Sequence, residues 1–357
     1  MSLKLHPVKI LKKQILNKDA AAVYFDIPPD LKEIFSYTQG QFLSLHLKIN
    51  GEDFRREYSL CSSPYCDEDI AIASKKIGGG IVSNYIYNDL KEGDVIEVYP
   101  PQGKFYTELN ETNEKYYFLT GGGSGITPLL SILKSVLFKE PKSKVILYYG
   151  SADEEGIMFR DELIEIQKKY GERFRLVFTI NTAGNEWKGL TGIVNSNDLL
   201  KLVKEIPSDK INDTEFFICG PAEMMENVKK DLTGINIEHS KIHIEYFTAP
   251  AHHEEFIPEG AESTEIKDRI VTIILDGEEV TVNVPAGVSI LNSAIKADLD
   301  PPFSCKSGIC TTCRSKLYSG KVRMDEREGL SDAEIEDGYI LTCQSHPLTD
   351  DVKLEYM

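Results

Sequence analysis

Lys115-Tyr-Tyr-Phe-Leu-Thr120-Gly121-Gly-Gly123-Ser-Gly125-Ile-Thr127-Pro128 decides the fold of the middle of this chain. A short apolar run of strand character enters a glycine loop, and the loop enters a helix-like stretch from Pro128 to Phe138. Glycines at 121, 123 and 125 let backbone amides come close to an anion. A helix opening directly behind them points its positive end at the same place. Proline stands where the dinucleotide pattern G-x-G-x-x-G has its last glycine, so the loop alone is weak evidence for a particular nucleotide.

Downstream the alternation repeats. Lys144–Tyr149, Arg175–Ile180 and Glu215–Cys219 read as strands, and Phe159–Tyr170 and the segment through Met225 and Val228 read as helices. Strands alternating with helices build a parallel α/β sheet, which we assign to residues 113–248. Upstream the period is two. Phe42–Ile49 alternates and meets a turn at Asn50-Gly51, and Ile70–Ser74 and Val95–Tyr99 repeat the pattern. Residues 1–112 are therefore expected to form a small antiparallel β-barrel. The stretch from Ala249 to Ile266 holds five glutamates, two prolines, His252 and His253, and no lysine or arginine. It reads as a charged, solvated linker over 249–265 that does not pack. Beyond it, Arg269–Leu275 and Glu279–Val284 flank the hairpin signal Asp276-Gly277, and Ser289–Ala297 reads as a short helix. Residues 266–357 thus form a third, α+β module.

The 357 residues exceed one ordinary core. With 41% hydrophobic and 27% charged residues, the composition excludes a disordered or multi-span membrane protein. Forty basic against 57 acidic residues give a net charge of −17, which leaves no basic stripe for a nucleic-acid backbone. The acidity serves solubility, with docking to a basic protein as the alternative. No apolar run reaches membrane-span length, and the N-terminus lacks a signal-peptide core, so a cytoplasmic location is expected.

Of seven cysteines, four crowd the C-terminal region in Cys305-Lys-Ser-Gly-Ile-Cys310-Thr-Thr-Cys313 and Cys343. This C-x4-C-x2-C…C spacing is that of a plant-type [2Fe–2S] centre, with Cys305, Cys310, Cys313 and Cys343 as ligands. A zinc site, the rival, favours two separated pairs of close cysteines. His252 and His253 read as solvated linker residues rather than metal ligands.

Arg56-Glu-Tyr58-Ser59-Leu-Cys-Ser62 then narrows the reading. R-x-Y-S-x-x-S resembles the flavin motif of the ferredoxin–NADP reductase superfamily. The resemblance implies that Arg56 pairs with a flavin phosphate, Tyr58 stacks on the isoalloxazine and Ser59 lies near its reactive nitrogen, with Ser62 closing the motif. A guanidinium forks onto phosphate and an aromatic face covers a flat ring, so the chemistry agrees. Gly78-Gly-Gly80-Ile-Val82-Ser83 follows where the family cradles the FAD pyrophosphate, with Ser83 as a helix cap. Pro101-Gln-Gly103-Lys-Phe105 resembles the loop closing the flavin barrel; FMN is the alternative to FAD. The 121–128 loop, in its G-x-G-x-x-P form, resembles the pyridine-nucleotide loop of the same superfamily, involving Gly121, Gly123, Gly125, Thr127 and Pro128. Thr127 would sit between flavin and nicotinamide. Cys219-Gly220-Pro221 is similar to the second nicotinamide element, and Phe247 is the aromatic that would cover the flavin ring. Ser59, Thr127 and Cys219 are the expected catalytic positions.

The resemblance spans the chain: flavin barrel, nucleotide domain, then a β-grasp ferredoxin, the order found in electron-transfer reductases of bacterial oxygenases. Pro302–Arg314 and Gly338–Pro347 carry the likeness in the third module. It implies FAD, a [2Fe–2S] cluster and NADH or NADPH, with an oxygenase component as electron acceptor. A dioxygenase, a steroid hydroxylase and a desaturase all remain open as that partner. Ser151-Ala152-Asp153-Glu154-Glu155, after the strand expected to end at Tyr149-Gly150, would repel a 2′-phosphate, so NADH is expected over NADPH. Arg160 and Lys188 are the cations able to offset that acidity. Two other classes fit less well. A redox-sensing binding protein would not turn over NAD(P)H steadily, and a self-contained oxygenase would need a metal-ligand pair such as H-x-H or E-x-x-H, which the sequence lacks.

Overall fold

The computed structural model describes residues 4–247, 256–258 and 265–356. The chain divides into two compact units, one of residues 7–54 and 58–246, the other of 1–6, 55–57 and 247–357.

The larger unit carries two sheets. The first is built from β1 (His6–Ile15), β2 (Ala20–Asp26), β3 (Phe42–Ile49), β4 (Glu52–Ser59), β5 (Ile70–Lys75) and β6 (Val95–Val98), in the order β4-β3-β6-β1-β2-β5, with His6 and residues 55–57 counted in the smaller unit. Asn50 and Gly51 turn β3 into β4 with φ of 53° and 86°, the doubly positive geometry that an Asn-Gly pair tolerates. The sheet curls, and the isolated bridge Leu60↔Ile72 ties its two edge strands together. Helix α1 (Ile81–Asn88) buries Val82 and Ile86 on this sheet's core, beside Val8, Val23, Leu45 and Ile72.

The second sheet is parallel and contains β7 (Tyr116–Gly122), β8 (Lys144–Asp153), β9 (Phe174–Thr182), β10 (Leu190–Thr191), β11 (Glu215–Cys219) and β12 (Ile242–Glu245). Helices α2 (Ile126–Lys139), α3 (Arg160–Tyr170), α4 (Ser196–Val203) and α5 (Ala222–Gly234) connect them. The order β10-β9-β8-β7-β11-β12 reverses direction between β7 and β11. At such a reversal the loops leaving two neighbouring strands part, opening a crevice at their carboxyl ends. The β8 strand runs three residues past the expected end at Gly150, because Ser151 and Asp153 still pair with Ile180 and Thr182 of β9.

The flavin-side sheet and α2 share one core. Ala20, Ala22, Ala71 and Ala73 join Ile126, Leu130, Leu133 and Val136 in a single buried cluster. Ser131 donates to the Ser62 carbonyl at 2.6 Å, and the Ser63 and Ser135 hydroxyls meet at 2.8 Å, all buried. Methyl-sized side chains let helix and sheet approach closely, and the serines satisfy each other where no water enters.

The smaller unit has a mixed sheet of order β14-β13-β19-β15-β17, from β13 (Arg269–Leu275), β14 (Glu278–Val284), β15 (Arg314–Ser319), β17 (Tyr339–Leu341) and β19 (Lys353–Tyr356). The short pair β16 (Val322–Met324) and β18 (Ser345–Pro347) lies beside it. Helix α6 (Ile290–Lys296) packs Ile290, Leu291 and Ala294 into the core, and α7 (Asp332–Glu336) begins with a capping box, Ser331 with Glu334. Asp276 and Gly277 make the expected turn with φ of 52° and 84°. Most of the expected linker, with both of its histidines, falls outside the described residues. The reading that this stretch does not pack is corrected at Phe256. Its N–H bonds the Met324 carbonyl at 2.8 Å, its carbonyl accepts from Met324 at 3.0 Å, and its ring packs on the core. One aromatic in an acidic stretch gains enough from burial to pair with the strand it meets.

Candidate functional site

The glycine loop leaves β7 and turns into α2 at the sheet's reversal. Gly123 takes φ of 55° with open space around it, whereas Gly125 is wedged: a Cβ there would lie 2.1 Å from the Cys219 carbonyl oxygen. Gly121 and Cys219 are register partners on β7 and β11, so the two loops face one another by construction. Between them and the ends of β8 and β9 lies a cleft of about 290 Å³. Gly122, Gly123, Gly150, Asn181, Pro221 and Met224 are among its walls. Of the expected loop residues, Gly123 and Pro221 line this cleft. Gly121, Gly125 and Gly220 serve close packing, and Pro128 sits in the first turn of α2, where its missing N–H costs nothing. The Thr127 hydroxyl is buried and donates to the Ser124 carbonyl at 3.0 Å, so it braces its own loop.

On the flavin side, Ser59 is buried at the end of β4 and donates to Glu245 Oε2 at 2.8 Å. Glu245 ends β12 and is the register partner of Cys219. A buried hydroxyl, a carboxylate and a buried thiol thus line up from one sheet to the other. Burial first, and then the Glu245 charge, push the Cys219 thiol well up, which keeps it a neutral S–H. Tyr58 is half-buried against the barrel core, and Arg56 is exposed, its guanidinium donating to the adjacent Arg55 carbonyl at 2.7 Å. Ser62 is structural in its contacts: its hydroxyl accepts from the Ala71 N–H at 2.9 Å and meets the Tyr37 hydroxyl at 2.8 Å.

The expected cap at Ser83 is corrected. Gly80 is the N-cap of α1, and Ser83, in the helix's first turn, accepts the Ile77 N–H at 3.1 Å. A residue already inside the helix satisfies the loop before it rather than the helix start. Phe247 follows β12 and is 42% exposed.

In the smaller unit Cys310, Cys313 and Cys343 are buried, Cys305 is half-buried, and none of the four is in a disulfide. Gly308, at φ 77°, lets the loop fold tightly; a Cβ there would strike the Glu326 side chain at 2.5 Å. The Ser307 N–H points at the Cys305 sulfur at 3.3 Å. Hydrogen bonding from Cys310 and Cys343 holds the Cys305 thiol far below its ordinary range, while Cys310 is pushed up by burial and Cys343 by its sulfur neighbours. The Cys305 sulfur is thus a neighbour of those of Cys310 and Cys343, and Cys313 neighbours Cys343. Glu57, which belongs to this unit, brings a carboxylate oxygen within 4.8 Å of the Cys305 and Cys310 sulfurs, and burial pushes its carboxyl up to about 7.

Three family models match in sequence order: an oxidoreductase FAD-binding domain over residues 7–106, an oxidoreductase NAD-binding domain over 119–230, and a 2Fe-2S iron-sulfur cluster binding domain over 273–348. The chain is 33% identical to a component of the 1,2-phenylacetyl-CoA epoxidase of Escherichia coli K12, covering 98% of this chain and 97% of that one. The chain belongs to the ferredoxin-reductase-type electron-transfer reductases of oxygenase systems. The 3-ketosteroid-9-alpha-monooxygenase ferredoxin reductase component of Rhodococcus rhodochrous is 30% identical over 95% of this chain and 93% of its own. Among solved structures, phthalate dioxygenase reductase matches with a TM-score of 0.59 at 25% identity, covering 98% of each chain.

This reductase uses FAD, NAD(P)H and a [2Fe–2S] cluster, and its residues fit them. No side chain caps α1, so the amides at its start are open to an anion such as a pyrophosphate. Four gathered thiols suit an iron–sulfur cluster, and the cleft at the sheet reversal suits a nucleotide. A nicotinamide gives up two electrons as hydride and the cluster takes one at a time, so a flavin between them converts the paired transfer into single ones. Among the described residues no helix is long and apolar enough to cross a membrane. Sequence reasoning missed Glu245 because its partner Ser59 lies 186 residues away; the only signal was its place at the end of a strand beside Cys219-Gly220-Pro221.

Proposed function

We propose that this reductase takes electrons from NADH and passes them to the oxygenase component of a phenylacetyl-CoA epoxidase. The observation that carries the reading is the end-to-end likeness to a component of that enzyme in E. coli. The full-length likeness to the 3-ketosteroid-9-alpha-monooxygenase reductase supports a second reading, a steroid monooxygenase partner. In either case the flavin would rest on Tyr58 and Gly80. Ser59, Thr127 and Cys219 would surround the hydride path, and Cys305, Cys310, Cys313 and Cys343 would hold the cluster. Ser59, hydrogen-bonded to Glu245, presents its oxygen as an acceptor, and the neutral Cys219 thiol adds no charge beside a positively charged nicotinamide.

Reconstitution tests the reading. The purified holoenzyme is mixed with NADH and, in separate arms, with an oxygenase component acting on phenylacetyl-CoA or on a 3-ketosteroid. Epoxide formed from phenylacetyl-CoA at least tenfold faster than steroid is hydroxylated is the expected result. The reverse order overturns the assignment in favour of the second reading.

A further inference from the structure

Three residues far upstream in the sequence, Arg55, Arg56 and Glu57, count with the smaller unit. They lie in β4, and side chains alternate along a strand, so Arg55 and Glu57 share one face. The Arg55 side chain is only 8% exposed and reaches the stretch that leads into Cys305. Its guanidinium donates to Asp300 Oδ1 at 2.9 Å and to the Pro301 carbonyl at 3.4 Å, and lies 4.1 Å from the centre of the Phe303 ring. The Lys306 ammonium stands 4.5 Å from the same ring, so two cations hold Phe303. On the same face of β4, the Glu57 carboxylate reaches the sulfurs of Cys305 and Cys310.

The stretch so held has little of its own to fix it. Residues 297–313, between α6 and β15, contain no helix or strand, yet they carry Cys305, Cys310 and Cys313. Lys306, directly after Cys305, takes φ of 56°, a conformation that a residue with a side chain adopts only under constraint. A segment without a hydrogen-bonded ladder keeps its shape through contacts made by other parts of the chain. A planar guanidinium suits that task, because its fixed fork of donors grips a carboxylate and a carbonyl while its face covers a ring.

We propose that Arg55 is a positioning residue for the [2Fe–2S] cluster. From outside the matched cluster-binding domain, residues 273–348, it holds the loop that presents Cys305. The proposal rests on Cys305 being a ligand. Arg55 also stays charged at every accessible pH, and a fixed positive charge beside the cluster favours the added electron.

The test uses the full-length holoenzyme and reads the cluster directly. Iron remaining after timed exposure to EDTA is measured by metal analysis, with bound FAD as the internal control. The reduced cluster is followed by electron paramagnetic resonance, and its reduced-to-oxidised ratio is read at a fixed potential. Arg55→Met should lose iron about threefold to tenfold faster, broaden the resonance and lower the ratio about threefold to tenfold, with FAD retained. Arg55→Lys keeps the charge without the fork, so it should restore the ratio to within about twofold while iron loss stays intermediate. Asp300→Asn weakens the pair from its exposed side, where the Asp300 side chain is 81% exposed. It should speed iron loss about twofold, and the Arg55→Met, Asp300→Asn double variant should be no faster than Arg55→Met alone. Arg55→Met losing iron within twofold of wild type with an unchanged resonance, or full additivity in the double variant, overturns the proposal. Should Arg55→Met fail to fold, Asp300→Asn decides, and wild-type iron loss in it overturns the pairing. Cys305→Ala with full iron defeats the ligand reading itself; if it loses iron while Arg55→Met behaves as wild type, only Arg55 is refuted.

Discussion

Gly125→Ala is the sharpest mechanical test of how the nucleotide site is built. The added methyl would sit 2.1 Å from the Cys219 carbonyl oxygen, 2.4 Å from its carbon and 2.7 Å from the Gly220 nitrogen. Carbon–oxygen contacts settle at about 3.3 Å, so the two loops must part by roughly an ångström. All three obstructing atoms are backbone, so no side chain can swing away. Overpacking of this kind costs about 1–3 kcal/mol, which lowers the melting of the larger unit by roughly 2–10 °C. A misplacement near an ångström beside the reacting groups costs on the order of 10²-fold in rate. Stopped-flow measurement of flavin reduction by NADH should therefore show a loss between about tenfold and 10²-fold, with iron content unchanged. Gly123→Ala is the control: φ is 55° but nothing lies within 4 Å, so about 1 kcal/mol of strain is expected with little loss of rate. A Gly125→Ala enzyme reducing its flavin within twofold of wild type at an unchanged melting temperature would refute the reasoning.

Cys310→Ser should remove the cluster's iron and sulfide while the flavin spectrum persists, read by metal analysis and absorbance; full iron in that variant would unseat Cys310 as a ligand. Glu215, buried between Lys115 at 3.3 Å, Lys241 at 2.8 Å and His243 at 3.0 Å, has its carboxyl held down to about 2; burial opposes that, and the hydrogen bonds from His243 and Lys241 outweigh it. A depressed carboxyl stabilises the fold above its unfolded value of about 4.3 and loses that contribution as pH falls toward about 2. The unfolding free energy of Glu215→Gln, from urea titration, should therefore lie about 2–3 kcal/mol below wild type at pH 7 and converge with it near pH 2. A ferredoxin fragment starting at Glu265 should melt roughly 5–10 °C below one that keeps Phe256, because two backbone hydrogen bonds and a packed ring are lost; equal melting would show that Phe256 adds nothing.

What could be read from the sequence was what repeats or turns at short range. The Asn50-Gly51 and Asp276-Gly277 turns and the spacing of Cys305, Cys310 and Cys313 depend on neighbours within a dozen residues, and the switch from period two to strand–helix alternation is a pattern of successive short segments. The structure matches them. Strand β1, mixing Lys9, Lys12 and Lys13 with Ile10 and Leu11, offered too irregular a pattern to be read. The contacts Ser59–Glu245, Lys18–Asp153 and Glu57–Cys305 join residues 186, 135 and 248 positions apart and leave no periodic trace. The acidic stretch after Gly150 was legible as composition. That its charges are matched was not, because the matching lysine sits on another sheet. Cys219 illustrates the middle ground: its place was read from Cys219-Gly220-Pro221, but the neutrality of its thiol follows from burial and Glu245, which only the fold brings together.

The seam of Ala20, Ala22, Ala71 and Ala73 against α2, closed by Ser62, Ser63, Ser131 and Ser135, bears on how such reductases can be recombined. A nucleotide sheet transplanted from a relative would bring its own α2 but meet a foreign strip on β2 and β5. A single larger residue in that strip would hold the helix away by the width of its side chain and leave the buried hydroxyls without partners. Grafts intended to change the electron donor should therefore travel with both halves of the joint, residues 20–22 and 62–73 together with α2. The natural point of exchange in this chain lies after residue 246, where the larger unit ends.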